Sequence, residues 1–290
     1  MIEQAHLQHH VWTLAADIGE RNVFHPTKLD AARDYIAHEW RTRGLEPRLQ
    51  TYPARGVESS NVEIVLQGGR HASQSIVIGA HYDSARGSPG ADDNASAVAA
   101  LLELGHALAA VPRARTLRLV AFVNEEPPFF FWGEMGSQMY ARAARAGNED
   151  IRVMLSLEML GYYRDEPRTQ YYPPLFRWFY PNRGNFIGFV SNLRSRRQLT
   201  RVYRAFRDNC GFPSERAAVP SWIPGIGWSD HLSFWRQGYP ALMVTDTAFY
   251  RYPHYHTSED TPDKIDFARL TAVANGLAGA LVELANAESL

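Results

Sequence analysis

Histidines and carboxylates follow the apolar segments of this sequence one after another. In chain order they are His81, Asp83, Asp93, Glu125, Glu126, Glu158 and His256. Imidazoles and carboxylates without thiolates suit a hard or borderline divalent cation, with zinc as the first choice. Several carboxylates close together repel one another unless a cation neutralises them. The pattern therefore indicates a metal centre, provided that the fold brings these side chains together.

The adjacent glutamates allow a division of labour. Glu126 would bind a metal ion, whereas Glu125 would accept a proton from the bound water as a general base. Two ions about 3.5–4 Å apart, bridged by one carboxylate, would hold that water and polarise a carbonyl group. Each motif alone has a commonplace interpretation, because Asp-Asp-Asn is usually a turn and His-x-Asp a hydrogen-bonded pair. Their order, each behind a predicted strand, favours catalysis.

The elements that must position these residues alternate between strand and helix. Apolar periodicity predicts strands at 60–67, 75–80, 116–123, 153–159, 185–191 and 240–246. Helices are predicted at about 27–43, 95–109, 134–146, 194–209, 230–237 and 266–286. Thr27 would cap the first of these helices and Gly44 would end it, whereas 162–183 is too irregular for a regular element.

This alternation predicts an α/β fold. We expect a single domain with a mostly parallel central sheet and helices on both faces. In such sheets ligands bind where the strands end, which is where the candidate residues lie. The predicted domain covers 1–290, with an N-terminal helical segment at about 1–45 and a catalytic core at about 60–285.

Composition narrows the classes of partner and location. The 290 residues include 30 basic and 31 acidic side chains, so no strong attraction to nucleic acid or anionic lipid is expected. A single cysteine, Cys210, excludes an internal disulfide and a cysteine-based zinc cluster. There is no basic-then-apolar leader and no run of 18 apolar residues, so a cytoplasmic protein is the expectation.

Seven motifs together resemble a known family. They are HYD (81–83), GADDNAS (90–96), NEE (124–126), GS (136–137), LEMLGY (157–162), SDHLSFWRQGYPAL (229–242) and YHTSEDTPDKID (255–266). This ordered series resembles the M28 family of zinc peptidases, of the co-catalytic bacterial aminopeptidase type. The resemblance covers roughly 60–285.

The resemblance implies a role for each matching residue. The implied zinc ligands are His81, Asp93, Glu126, Glu158 and His256. Asp93 would bridge two zinc ions, and its bond to Asn94 would be a cis peptide. Glu125 would be the general base, and Tyr255 would donate to the tetrahedral intermediate. Asp83 would hold the imidazole of His81, and Asp230 would be the supporting acid of the SDH motif.

Two features depart from the family pattern. The family commonly has aspartate where Glu158 stands, so the extra methylene displaces that carboxylate and affects the second metal site. The segment EEPPFFFWGEMGS is longer and more aromatic than the usual glutamate-to-Gly-Ser linker, so it is a candidate for lining the specificity pocket. The aromatic stretch 171–180 has two interpretations: an apolar wall for a substrate side chain, or a surface loop that packs on itself.

The activity implied is hydrolysis of peptide bonds at the N-terminus of a peptide or aminoacyl substrate. The nearest alternative is a glutaminyl cyclase, a single-zinc acyltransferase on the same scaffold that typically has tryptophan where Tyr255 stands. Carboxypeptidase and deacylase relatives are disfavoured, since they usually insert a dimerisation domain between the ligands. A catalytically silent binding domain is the third alternative, and the sequence leaves the oligomeric state open.

Overall fold

Within the described residues, eight strands form one mixed sheet. The computed structural model describes residues 1–131, 133–174 and 176–290, so Trp132 and Leu175 of the two aromatic segments lie outside it. The strands are β1 (Arg48–Ala54), β2 (Val57–Leu66), β3 (His71–His81), β4 (Arg115–Phe122), β5 (Asp150–Glu158), β6 (Ile187–Ser191), β7 (Ser214–Ala218) and β8 (Ala241–Thr245). Their order in the sheet is β1-β2-β4-β3-β5-β8-β6-β7.

The centre of the sheet is parallel and its antiparallel pairings lie towards the two sides. β3 pairs in parallel with β4 and β5, β5 with β8, and β6 with β7. The antiparallel pairs are β1 with β2, β2 with β4, and β6 with β8. The prediction of a mostly parallel α/β sheet is therefore confirmed.

Helices cover both faces of the sheet. They are α1 (Gln4–Trp12), α2 (Pro26–Thr42), α3 (Ala97–Leu108), α4 (Gly136–Ala146), α5 (Arg196–Asn209), α6 (His231–Arg236) and α7 (Phe267–Asn286). Alternate residues of β3 serve the two cores, as a strand buried on both faces requires. Ile76 and Ile78 pack in the core that includes α3 and α7, whereas Val77 packs in the core that includes α4 and α6.

Several local predictions were wrong or incomplete. Thr27 does not cap α2, which begins at Pro26, because proline at the first helical position needs no hydrogen-bonded N–H. Gly44 does end the helix, with a φ of 76° and its N–H donated to the carbonyl of Arg41. The edge strands β1 and β7 were not predicted, and β2 begins three residues before the predicted strand at 60–67.

The parallel strands end at one edge of the sheet. His81, the last residue of β3, is in register with Phe122, the last residue of β4. Glu158 closes β5 opposite Thr245, which closes β8. The candidate residues His81 and Glu158 therefore lie on the same side of the sheet, at the carboxyl ends of the parallel strands.

The last helix, α7, is the one helix in the described part of the chain that meets the length and hydropathy criteria for a membrane span. It packs against α3 and α5. Leu277 and Leu281 of this helix are fully buried in the main core.

Candidate metal centre

Asp93 lies between two histidines from distant parts of the chain. Its Oδ1 is 3.3 Å from Nε2 of His81, and its Oδ2 is 3.2 Å from Nε2 of His256. The side chains of His81 and Asp93 are almost completely buried, whereas that of His256 is 32% exposed. Each carboxylate oxygen thus faces a different imidazole, which is the arrangement that a bridging ligand requires.

A second carboxylate accompanies each histidine. Oε2 of Glu158 is 3.5 Å from Nε2 of His81, and Oε2 of Glu126 is 3.3 Å from Nε2 of His256. Potential ligand atoms of His81, Asp93 and Glu126 also lie within 4.8 Å of one another. The structure therefore brings together all five residues that were predicted as ligands.

The donor atoms of this cluster fit a cation. His81 Nε2, Asp93 Oδ1 and Glu126 Oε1 are buried and have no hydrogen-bond partner among the described residues. Buried polar atoms without partners are costly. Nitrogen and oxygen donors that face one another at these distances without hydrogen bonds suit zinc.

Asn94 fixes the neighbouring Asp93 against the end of β5. The Asp93–Asn94 peptide bond is cis, as the family resemblance implies. The Asn94 amide donates to the carbonyl of Leu157 at 3.0 Å and accepts from the N–H of Met159 at 2.9 Å. These two bonds hold the residues on either side of Glu158, so the positions of Asp93 and Glu158 are linked.

Asp83 has a broader role than the sequence predicted. Its Oδ1 lies 3.5 Å from Nδ1 of His81, while that nitrogen is 3.1 Å from the backbone carbonyl of Asp83. Its two carboxylate oxygens accept hydrogen bonds at 3.1 Å from the backbone N–H groups of Glu125 and Glu126. Asp83 therefore orients the general-base candidate and its neighbour as well as the imidazole.

Sequence reasoning missed Ser229 and emphasised Asp230 beside it. The Ser229 hydroxyl donates to Oε2 of Glu158 at 2.6 Å and lies 2.8 Å from the hydroxyl of Ser156. The Asp230 carboxylate is buried, and its oxygens have no hydrogen-bond partner among the described residues. Burial raises the pKa of Asp230 to about 7. Ser229 and Glu158 are 71 residues apart in the chain, so the sequence does not reveal this contact.

Burial and mutual repulsion govern the electrostatics of the acids. Burial raises the pKa of Glu125 well above its ordinary value, and Glu158 and Glu126 raise it further, against the opposing effect of His81. Burial and the charge of Asp93 raise the pKa of Glu126 to about 7. Such carboxylates need a cation close by to stay ionised at neutral pH.

The imidazoles respond to these acids in the opposite direction. Burial alone would lower the pKa of both histidines. The charge of Glu158 nevertheless raises the pKa of His81 well above its ordinary value. The nearby carboxylates of Asp93 and Glu126 raise the pKa of His256 to about 10. Without a metal ion, the two imidazoles therefore supply the positive charge of the site.

Tyr255 lies between the metal centre and an apolar pocket. Its ring stacks on the ring of His256, with centroids 3.8 Å apart and an interplanar angle of 20°. Glu158, Trp228 and Tyr255 line both the metal centre and the pocket. Other walls of this pocket are aromatic or aliphatic: Tyr172, Phe176, Tyr180, Phe186, Phe189, Met243, Phe249 and Tyr250.

The two aromatic segments take different places around the site. Pro127, Phe130 and Phe131 line the opening of the metal centre itself. The stretch 171–180 divides, with Phe176 in the wall of the apolar pocket and Phe179, 81% exposed, pointing to solvent. Part of this stretch therefore lines the apolar pocket, and its role as a wall for a substrate side chain stays a prediction.

Comparisons with known proteins agree with this geometry. The sequence profile described as "Peptidase family M28" matches residues 61–281. An uncharacterised Escherichia coli protein, YfbL, is 37% identical over 273 residues, which cover 91% of this chain and 83% of YfbL. A probable leucine aminopeptidase of Arthroderma otae is 27% identical over 235 residues, covering 76% of this chain and 56% of the relative.

Solved structures share the fold over the whole chain. BSAP, a zinc aminopeptidase from Bacillus subtilis, has a TM-score of 0.78 at 16% identity, covering 100% of this chain and 97% of BSAP. A glutaminyl cyclase from Fimbriiglobus ruber has a TM-score of 0.72 at 20% identity, covering 96% and 94%. At these identities the structural likeness bears on the fold alone, whereas the sequence profile identifies the family. The chain belongs to peptidase family M28.

Proposed function

We propose that this protein is a zinc-dependent aminopeptidase with two metal sites bridged by Asp93. The observation that carries the proposal is the position of Asp93, whose two oxygens face His81 and His256 separately at 3.3 and 3.2 Å. Membership of family M28 and likeness to zinc aminopeptidases support zinc as the metal.

The proposed ligands fall into two sets that share Asp93. His81 and Glu158 accompany Oδ1, and His256 and Glu126 accompany Oδ2. When bound there, zinc would polarise the carbonyl group of the substrate and lower the pKa of the attacking water. The buried carboxylates would balance the positive charge of the metal ions. Asp83 accepts from the backbone N–H of Glu126, and the Ser229 hydroxyl donates to the carboxylate of Glu158, so both carboxylates are held in place.

Glu125 is proposed as the general base. Its Oε2 lies 3.9 Å from Nε2 of His81, so it is beside the cluster but farther from the imidazole than Glu158. A raised pKa suits a group that must accept the proton of the attacking water and return it to the leaving amine. The hydrogen bond from its backbone N–H to Asp83 fixes the backbone of Glu125 beside the cluster.

Tyr255 and the apolar pocket would handle the rest of the substrate. Burial raises the pKa of Tyr255, so its phenol stays protonated and able to donate to the oxyanion. The pocket beside it would take an apolar side chain of the N-terminal residue. Glu158, which lines both the pocket and the metal centre, and Glu125, which lines the metal centre, would bind the free α-amine.

Replacing Glu125 with Gln tests the proposal. We expect the variant to lose nearly all turnover of aminoacyl-anilide substrates, because the amide cannot accept the proton, and to keep nearly all of its zinc. The matched control is Glu134→Gln, which changes an exposed glutamate of the same segment. Activity by kinetics and metal by atomic emission would be measured on the same preparations.

Other outcomes would favour other functions. Near parental rates in the Glu125 variant would remove Glu125 from the mechanism. Cyclisation of a glutaminyl peptide, without release of aminoacyl groups, would identify the acyltransferase alternative. A protein that binds no zinc, manganese or cobalt and gains no activity from them would be a silent domain of the same fold.

A further inference from the structure

Asp260 contacts the loop that carries Asp93 through all three of its oxygen atoms. Its Oδ1 accepts from the N–H of Asp92 at 2.8 Å, and its Oδ2 accepts from the N–H of Asp93 at 3.2 Å. Its backbone carbonyl accepts from the N–H of Ala91 at 3.1 Å. Asp260 is fully buried, although the residues just before it are exposed.

The segment that contains Asp260 also contains His256. The N–H of Asp260 donates to the carbonyl of Thr257, so a short turn joins the two residues. Tyr252, on the other side of His256, donates its hydroxyl to Oδ1 of Asp260 at 2.8 Å. One carboxylate thus connects both flanks of His256 to the loop that carries Asp93.

The same device recurs elsewhere around the centre. Asp83, two residues after His81, accepts from two consecutive N–H groups at Glu125 and Glu126. Asn94, next to Asp93, binds the backbone on both sides of Glu158. In each case a side chain close to one candidate ligand holds the backbone of another, so the ligands are positioned in pairs.

We propose that Asp260 is a positioning residue that sets the distance between His256 and the bridging Asp93, and thereby the zinc affinity of the centre. The inference rests on the proposed function for its choice of metal. The proposed role requires no change in the charge of Asp260. It depends on the two carboxylate oxygens, which accept from the consecutive N–H groups of Asp92 and Asp93.

A buried arginine supports the loop from its other side. Arg21, fully buried, donates to the carbonyls of Gly90 at 2.9 Å and Pro89 at 2.5 Å. Arg21 also donates to the carbonyl of Tyr82, next to His81, at 2.7 Å. Arg21 holds the loop before Asp92 and Asn94 holds it after Asp93. Between these two attachments, loss of the Asp260 contacts would leave the N–H groups of Asp92 and Asp93 without these acceptors, so Asp93 could shift relative to His256.

The test is Asp260→Asn, with Asp263→Asn as the matched control. The new amide NH2 would face a backbone N–H, so one of the two contacts is lost with little change in volume. Asp263 lies three residues farther on and its side chain is 63% exposed. Zinc affinity would be measured by chelator competition on metal-free protein, together with the thermal unfolding midpoint before zinc is added.

We expect Asp260→Asn to weaken zinc binding by about 10- to 100-fold, as residues that orient metal ligands typically do. Its activity should recover when free zinc is raised, which activity of Glu125→Gln should not. The control should bind zinc like the parent. If Asp260→Asn lowers only the unfolding midpoint and binds zinc with parental affinity, the proposal is wrong.

Should Asp260→Asn fail to fold, Tyr252→Phe removes a single donor to Asp260, and we expect a smaller loss of zinc affinity; parental affinity in that folded variant would overturn the proposal. The affinity measurement needs no substrate. A protein with no aminopeptidase activity but zinc affinity that depends on Asp260 would refute the proposed function and leave this inference standing.

Discussion

At the level of single residues, the centre shows how burial makes each charge depend on its neighbours. Asp93, Glu126 and Glu158 are all less than one-tenth exposed, a state that isolated carboxylates rarely occupy. Ser229 and Asp83 supply hydrogen bonds to these groups or to their backbones. Asp230, which the sequence brought forward, makes no such bond among the described residues. Its role stays a prediction.

His231, in the same SDH motif, provides a pH-dependent prediction. Its buried ring donates from Nε2 to the carbonyl of Ile226 at 2.7 Å, and burial lowers its pKa to about 4. The unfolded chain binds this proton below about pH 6.5, and the folded chain does so only near pH 4. The stability from neutral His231 is therefore complete above about pH 6.5 and is lost as the pH falls towards 4, by about 3 kcal/mol.

His231→Gln should remove this part of the pH dependence. The Gln amide can still donate to Ile226 but does not titrate, so its free energy of unfolding should fall less than the parent's between pH 6.5 and 4. Urea unfolding at several pH values measures this difference. His38→Gln, at an exposed histidine, should behave like the parent. Parallel curves for parent and His231→Gln would contradict the assignment.

At the level of elements, the ends of the parallel strands bring the candidate residues together, and small residues allow the helices to pack closely against the segments that follow these strands. The Gly-Ser pair at 136–137 belongs to the motif series, yet its first residue serves packing rather than chemistry. Gly136 begins α4, where its N–H donates to the carbonyl of Val123 at 2.7 Å and its carbonyl accepts from Asn61 at 2.8 Å. α4 therefore starts directly against the segment that leads to Glu125.

Gly136→Ala should destabilise the protein by about 1–3 kcal/mol. A Cβ there would lie 2.0 Å from Oδ1 of Asn61 and 2.6 Å from the carbonyl oxygen of Val123, so backbone must move. Gly211→Ala is the control, since its Cβ would meet nothing within 4 Å. The measurement is the urea midpoint of unfolding. Equal midpoints for the two variants would show that the α4 start tolerates displacement.

At the level of the whole molecule, the centre joins segments that are far apart in the chain. His81 ends β3, Glu158 ends β5, and His256 comes from the loop beyond β8. Such a centre can form only after the sheet has assembled. A cation bound there favours the folded state, because the unfolded chain has no equivalent cluster.

Metal removal should therefore lower the thermal unfolding midpoint. Zinc at a hundred times its dissociation constant contributes about 2.7 kcal/mol, so we expect chelation to lower the midpoint by about 4–5 °C in a chain of this size. Calorimetry with chelator and with zinc restored gives the shift, and metal analysis gives the number of ions. Asp93→Asn should lose most of the zinc-dependent shift. An unchanged midpoint on full removal would argue against a structural contribution of the metal.

The sequence by itself determined the α/β class, the order of the candidate ligands and the family. These follow from local patterns, since apolar runs define the central strands and polar residues directly after them must reach the sheet edge. The outermost strands β1 and β7 were not predicted, because they lack such apolar runs. β1 contains Pro53 and polar residues, and β7 (SERAA) has too little apolar alternation to predict a strand.

Only the tertiary structure decided how the candidate ligands are held. Asp260 binds Asp92 across 168 residues, and Asp83 binds Glu125 across 42. No local periodicity encodes such pairs, because they arise when loops from different strands meet at one edge. The apolar pocket beside Tyr255 likewise combines residues of β5, β6, β7 and β8 with three connecting segments, 170–186, 224–228 and 247–255. Residue types therefore set the chemistry that is available, and packing between distant segments set the distances at which it can operate.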